Sequence, residues 1–217
     1  MLSSKTVSQI DEAIRIKTLC DALREEGLKL LGWDGLQNQW QARVLSLRLW
    51  RPDELWPDVS NQSLLNSAGT WLAPYLNVVS KRADFQRLDL NAIIAGILPW
   101  ELQAKFNKLS PPRLEVPSGS MIALDYFNDG SPPVMKVRLQ EVFGLLETPT
   151  VNEGRNKIIL HLLSPGYKPV QVTQDLKSFW KTTYHDVRKE LRMRYPRHHW
   201  PEDPWTALAV RGIKRKN

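Results

Sequence analysis

The stretch "SPPRLEVPSGS", Ser110 to Ser120, puts three prolines and a glycine into eleven residues. Proline lacks a backbone donor and its ring clashes with the preceding helical turn, so no helix runs through this stretch. Upstream of it, apolar residues recur at helical spacing. Ile16, Leu19, Cys20, Leu23 and Leu30 define a helix within residues 8–31, with Ser8 and Asp11 near its N-cap. Leu36, Trp40, Val44 and Leu47 define a second over 35–50. Leu64, Ala68, Trp71 and Leu72 define a third over 61–73, capped by Ser60; Pro74 either ends it or begins a short continuation. Asp89 caps a fourth, "LNAIIAGIL", and Pro99 suits the first turn of a fifth that runs to Leu109.

Downstream the period shortens. "MIALDYF" alternates, with Ile122, Leu124 and Tyr126 on one face, and "NDG" (Asn128 to Gly130) is a turn signal. "VMKVRLQEVFGL" reads as a short strand passing into a helix, and "KIILHLL" and "PVQVTQ", joined by "SPGYK", read as a hairpin. Thr173 or Asp175 then caps a long helix from Leu176 to Arg194, stopped by Pro196. The expected fold is α+β. A helical bundle over residues 1–110 is followed by a small domain over 111–217, in which a mostly antiparallel sheet packs with a long basic C-terminal helix and a Pro/Trp-rich basic tail.

With 217 residues and 42% apolar content the chain is long enough to bury a real core. Cys20 is its only cysteine, which excludes an intrachain disulfide and a thiolate zinc cluster and suits a reducing cytoplasm. "MLSSKTVSQIDEAIRIKTLC" has no apolar run behind basic residues, so no secretory signal is read there. The longest apolar run, "AIIAGILPW", falls far short of the ~20 residues a membrane span needs, and no membrane partner is expected. The net charge of +7 is unevenly placed: residues 1–176 carry 19 basic and 19 acidic side chains, and residues 177–217 carry 11 and 4. A charge block confined to one end is the footprint of a polyanion contact, or a solvated tail that keeps the protein in solution.

The long C-terminal helix has two faces. Trp180, Tyr184, Val187, Leu191 and Tyr195 line one and should pack on the hairpin. Lys177, Lys181, Arg188 and Arg192 share a neighbouring face, Lys189 and Arg194 flank it, and Arg197 follows. These seven are the candidate nucleic-acid-binding residues, because each Lys or Arg set on a phosphate releases condensed counterions. Tyr195, His199 and Trp200 are placed to stack on unpaired bases, although rings at helical spacing more commonly pack.

Five stretches in order, "LPWELQ" (Leu98 to Gln103), "VPSGS" (Val116 to Ser120), "VRLQEVFGL" (Val137 to Leu145), "LHLLSPGYKPVQVTQDLKSFW" (Leu160 to Trp180) and "VRKELRMRYPRHHWPEDP" (Val187 to Pro204), resemble the C-terminal region of HrpB-type bacterial DEAH-box helicases. The similarity runs from about residue 28 to residue 205. The resemblance implies an ATP-dependent RNA helicase whose RecA-like motor pair, winged-helix, helical-bundle and OB-like parts would lie upstream of Met1. Those motor domains are one implied partner, and single-stranded RNA or another nucleic acid is the other.

The motor's chemistry is missing from the residues themselves. No G-x-x-x-x-G-K-[ST] occurs to cradle phosphates, and no Asp-Glu-Ala-His stretch occurs to hold Mg²⁺. By itself the chain is read as no enzyme, with no catalytic residue, no cofactor and no metal. His198 and His199 with Glu202 and Asp203 lack a metal-ligand spacing. Ser118 or Ser120 with His161 lacks a nucleophile elbow. Cys20 is read as core, and "WPEDPW" as a rigid tail laid on the surface. Of nine tryptophans, Trp33, Trp40 and Trp50 are the candidates for an apolar patch that meets another domain. Two functions stand: a non-catalytic nucleic-acid-binding accessory of a helicase, and a docking module that clasps the motor domains without binding nucleic acid.

Overall fold

The computed structural model describes residues 11–212; Ser8 and the basic residues Lys214, Arg215 and Lys216 lie outside them. The chain divides after Gln103 into two compact units.

The first unit is helical. Helix α1 (Glu12–Glu26) starts at Asp11, whose carboxylate accepts the Ala13 N–H at 2.9 Å. It ends at Gly27, so the single helix expected through residue 31 is instead α1 followed by a 3-10 turn, Leu28–Leu31. Helix α2 (Gly35–Trp50) begins with a reciprocal capping box between Asp34 and Gln37. Helices α3 (Asn61–Asn66) and α4 (Ala68–Trp71) replace the one helix expected over 61–73. The break falls at Ser67, whose hydroxyl bonds back to the Ser63 carbonyl at 2.7 Å and competes with the helical ladder. Pro74 sits in the 3-10 turn Ala73–Val78 that continues the chain. Helix α5 (Leu90–Ala95) is capped by Asp89, and α6 (Trp100–Leu109) follows Pro99 and carries the chain through the division at Gln103. Leu23, Leu47, Trp56, Val59, Leu64, Leu72, Leu76 and Phe85 form the core, and α1 packs on α4 and on the turn after it.

One expected stripe is turned. On α2, Leu36 is 69% exposed, while Gln37, Gln41, Val44 and Leu47 are buried. The buried glutamines are satisfied: Gln41 Nε2 donates to the Val59 carbonyl (2.6 Å) and to Asn61 Oδ1 (2.8 Å), and Gln37 Nε2 to Asn91 Oδ1 (3.1 Å). Trp33, Trp40 and Trp50 are half-buried. The apolar side chains that stand clear on this unit include Leu36, Leu49, Leu55 and Trp100.

The second unit is built on a five-stranded sheet of order β1 (Arg113–Glu115), β2 (Met121–Asp125), β3 (Val134–Arg138), β6 (Ile159–Leu163), β7 (Pro169–Thr173). All neighbours are antiparallel except β3 and β6, which run parallel in the register Val134↔Ile159 to Arg138↔Leu163. The crossover between them holds a 3-10 turn, Leu139–Glu141, and a two-stranded ribbon, β4 (Thr150–Val151) with β5 (Asn156–Lys157). The expected helix after β3 shrinks to that turn. β6 and β7 form the hairpin expected of "KIILHLL" and "PVQVTQ". Helices α7 (Leu176–Thr182) and α8 (Tyr184–Arg194) complete an α+β fold. Asp175 caps α7 by accepting the Ser178 N–H at 2.9 Å, while Thr173 Oγ1 accepts the Asp175 N–H.

The single long helix expected here is interrupted at Thr183. The change is mild, since Thr183 keeps right-handed angles (φ −95°, ψ −29°). Thr182 Oγ1 bonds back to the Ser178 carbonyl at 2.8 Å and approaches Thr183 Oγ1 at 3.3 Å, the kind of hydroxyl contact that bends a helix.

Candidate nucleic-acid interface

Helices α7 and α8 carry six of the seven candidate cations, Arg197 follows them, and their other face is fixed. Trp180 and Tyr184 are fully buried against Phe143, with ring centroids 6.1 and 6.0 Å away. Trp180 Nε1 donates to the Leu145 carbonyl at 2.9 Å. Tyr184 Oη donates to the Pro201 carbonyl at 2.7 Å, and burial pushes this phenol well above its ordinary range, so it stays a donor. These two rings therefore pack on the segment after β3. Tyr195 is the residue that reaches the hairpin: its Oη lies 3.2 Å from Ser164 Oγ in the β6–β7 turn.

The seven candidate cations separate into three kinds. Lys181, Arg192 and Arg197 are exposed and make no ion pair with a described residue. Lys177, Lys189 and Arg194 are exposed but paired, with Glu147 (2.9 Å), Asp186 (3.0 Å) and Glu190 (3.2 Å). Such solvent-exposed pairs are worth little. Arg188 is different: its side chain is 17% exposed, its Nε donates to the Trp200 carbonyl at 2.9 Å, and its Nη2 meets Glu202 at 3.1 Å. It holds the tail against α8.

The tail itself is docked. Trp200 is buried and donates Nε1 to the Tyr195 carbonyl, which removes it from any stacking role; His199 stays exposed. Gly144 N–H donates to the Pro204 carbonyl (2.8 Å), and Val210 N–H to the Gln140 carbonyl (3.0 Å). Gln140, buried beside the 3-10 turn, donates Nε2 to the Val210 and Gly212 carbonyls, and its Oε1 lies 2.8 Å from His198 Nδ1. Arg211 donates to the Ser118 and Gly119 carbonyls. Nothing in "VRLQEVFGL" announced Gln140 as an anchor, because a polar residue in a short amphipathic run reads as surface. Burial, with the Arg138 charge in support, lowers the His198 pKa. Between Arg194 and His198 the loop encloses a cleft of about 230 Å³.

The other chemistry raised by the sequence does not assemble. Ser118 and Ser120 both bond to Glu141 Oε2, at 3.0 and 2.5 Å, while His161 lies within β6 between Lys136 and Val172. Burial pushes the Glu141 carboxyl up, but hydrogen bonds from Ser120, Arg138 and Ser118 outweigh it and hold the group below its ordinary value. Among the described residues no group of three or more His, Cys, Asp or Glu side chains gathers as a metal site. No described helix is long and apolar enough to cross a membrane. Cys20 is buried.

Known proteins share this arrangement. Residues 71–204 match the family described as ATP-dependent helicase C-terminal. The ATP-dependent RNA helicase HrpB of Escherichia coli K12 is 38% identical over 199 residues, 92% of this chain and 24% of that protein. A crystal structure of the E. coli DExH-box NTPase HrpB superposes with a TM-score of 0.88 at 36% identity, over 95% of this chain and 26% of that one. A second, of the E. coli DEAH/RHA helicase HrpB, gives 0.75 at 34% identity, over 92% and 25%. The chain thus spans about a quarter of the length of the relatives it matches. On the strength of that match, this chain belongs to the HrpB-type ATP-dependent helicase C-terminal family.

Proposed function

We propose that the chain is a non-catalytic accessory module of a bacterial ATP-dependent RNA helicase, and that it holds single-stranded RNA on the exposed cations of α7, α8 and the loop beyond. The observation that carries this reading is the set Lys181, Arg192 and Arg197: exposed, without an ion pair to a described residue, and mounted on elements whose opposite face is locked by buried rings. Lys177, Lys189 and Arg194 extend the set once a phosphate displaces their surface partners. Arg188 contributes by seating the tail. Such a module works in the cytoplasm beside its motor domains and needs no cofactor of its own.

Fluorescence anisotropy of single-stranded RNA against salt tests this. Each phosphate contact on a single strand adds about 0.7 to the slope of log affinity against log salt. A Lys181/Arg192/Arg197 triple alanine variant should therefore bind more weakly and lose about 2 from that slope. Absence of binding to the unsubstituted chain at low salt sinks the reading.

A second reading, docking onto the motor domains, draws on the first unit. Leu49 at 56% and Leu55 at 91% exposure border a cleft of about 520 Å³ lined by Arg48, Pro52, Glu54 and Pro57. Stable complex formation with the separately prepared motor domains, lost on Leu55→Ser, would favour it over RNA binding.

A further inference from the structure

We propose that the Tyr167 ring, seated on the Arg138 guanidinium, is a stacking platform for an unpaired nucleobase, with the exposed cations Lys168, Arg194 and Arg197 for the flanking phosphate. The inference rests on the nucleic-acid reading above and assigns it a site.

The geometry starts in the β6–β7 turn. Tyr167 has φ +59°, a left-handed conformation that is strained for a residue bearing a Cβ and that glycine or asparagine adopts more readily. The turn is nevertheless well fixed. Tyr167 N–H donates to the Ser164 carbonyl at 2.9 Å, Ser164 N–H to the Lys168 carbonyl at 2.8 Å, and Lys168 N–H to Ser164 Oγ at 3.1 Å. A Cβ on Gly166 would fall 2.8 Å from Tyr195 Oη, so the turn lies directly against the end of α8. In this setting a large ring occupies a strained position and points outward, 66% exposed.

What lies under the ring is built, not incidental. Arg138 Cζ sits 5.3 Å from the Tyr167 ring centroid. The Arg138 side chain is itself mostly buried, and its Nε donates to Glu141 Oε1 at 2.7 Å. Glu141 is buried, its other oxygen takes the Ser118 and Ser120 hydroxyls, and its carboxyl sits below its ordinary value, which keeps it ionised. A buried carboxylate thus fixes an arginine, the arginine fixes a ring, and the ring keeps most of its surface in water. A rigid, preoriented aromatic loses little entropy when a base stacks on it, and stacking of this kind accepts any base. Tyr195, which touches the turn, also lines the Arg194–His198 cleft, and Lys168 is exposed next to the ring. Aromatic face and cations together match one nucleotide: a base on the ring, a phosphate on the arginines.

The test uses the full chain and two single strands of about a dozen nucleotides, oligouridylate and an abasic strand with the same backbone, followed by anisotropy at several salt concentrations. The unsubstituted chain should bind the base-bearing strand more tightly. Tyr167→Ala and Tyr167→Leu should each lose about 5- to 50-fold on that strand alone, leave the abasic affinity and the salt slope unchanged, and melt as before; Tyr167→Phe should keep the preference. If the alanine and leucine variants bind both strands like the parent, or lose equally on both, the platform is overturned while RNA binding by the cations stands. If the parent binds neither strand at low salt, both readings fall.

Discussion

The Arg188 guanidinium donates to the Trp200 carbonyl and to Glu202, with most of its surface out of water. Arg192, one turn further along α8, stands in solvent. Equal charge on one face is therefore held by the tail in the first case and left in solvent in the second. Arg188→Ala leaves the Trp200 carbonyl without this donor and should cost about 1–3 kcal/mol, a fall of several degrees in Tm, with the RNA salt slope unchanged. Arg192→Ala should do the reverse. Calorimetry and anisotropy on the two variants check the pair, and a slope change without a Tm change for Arg188→Ala would reassign it. Their spacing sets both arginines on a common face and can say no more. The partners of Arg188 lie twelve and fourteen residues away, beyond a proline that redirects the chain.

Among the elements, α2 shows how a helix can be legible while its orientation is not. Its limits agree with its apolar spacing, yet the first turn faces the core with Gln37 and leaves Leu36 in water. Hydrophobic periodicity counts apolar side chains, and here two buried glutamines take core positions because backbone and asparagine partners await them. Gln41→Leu adds an apolar side chain at a buried site and should still destabilise by about 1–3 kcal/mol, since the Val59 carbonyl loses its donor. A shift of the urea midpoint at unchanged m-value would show this; a neutral or stabilising result would mean the pair contributes nothing net. The β6–β7 hairpin was readable because its turn is local. The parallel β3–β6 pair was not, since its crossover carries only a short turn and a two-stranded ribbon in place of the helix that usually marks such a connection.

For the molecule as a whole, the proline-rich stretch at 110–120 separated helical from strand texture correctly, and the charge block at the end pointed to the α7–α8 region. The reach of the tail was not legible, because its anchors, Gln140, Gly144 and Ser118, are distant in sequence. Two titratable groups bonded to those anchors, His198 on Gln140 and Glu141 on Ser118, give the molecule a pH response. The His198 pKa is lowered from 6.5 and that of Glu141 from 4.5, so in both cases the unfolded chain takes up a proton before the folded one. Stability therefore rises with pH, is reduced first as pH falls below about 6.5, and falls again below about 4.5. Urea midpoints at pH 7.5 and 5.5 should show the upper loss, and His198→Gln should flatten it; an unchanged difference in that variant would assign the loss elsewhere.

The bond from Arg211 to Ser118 spans 93 positions. On a translating ribosome the helical first unit has its residues before the sheet unit, which waits for the residues that close over it. Until position 210 has emerged, Gln140 lacks both carbonyls it serves, and the second comes only with position 212. Nascent chains halted before residue 204 would hold a folded front and an unfinished back, sensitive to protease at the 139–144 segment, and synthesis of residues 204–212 would act as the latch.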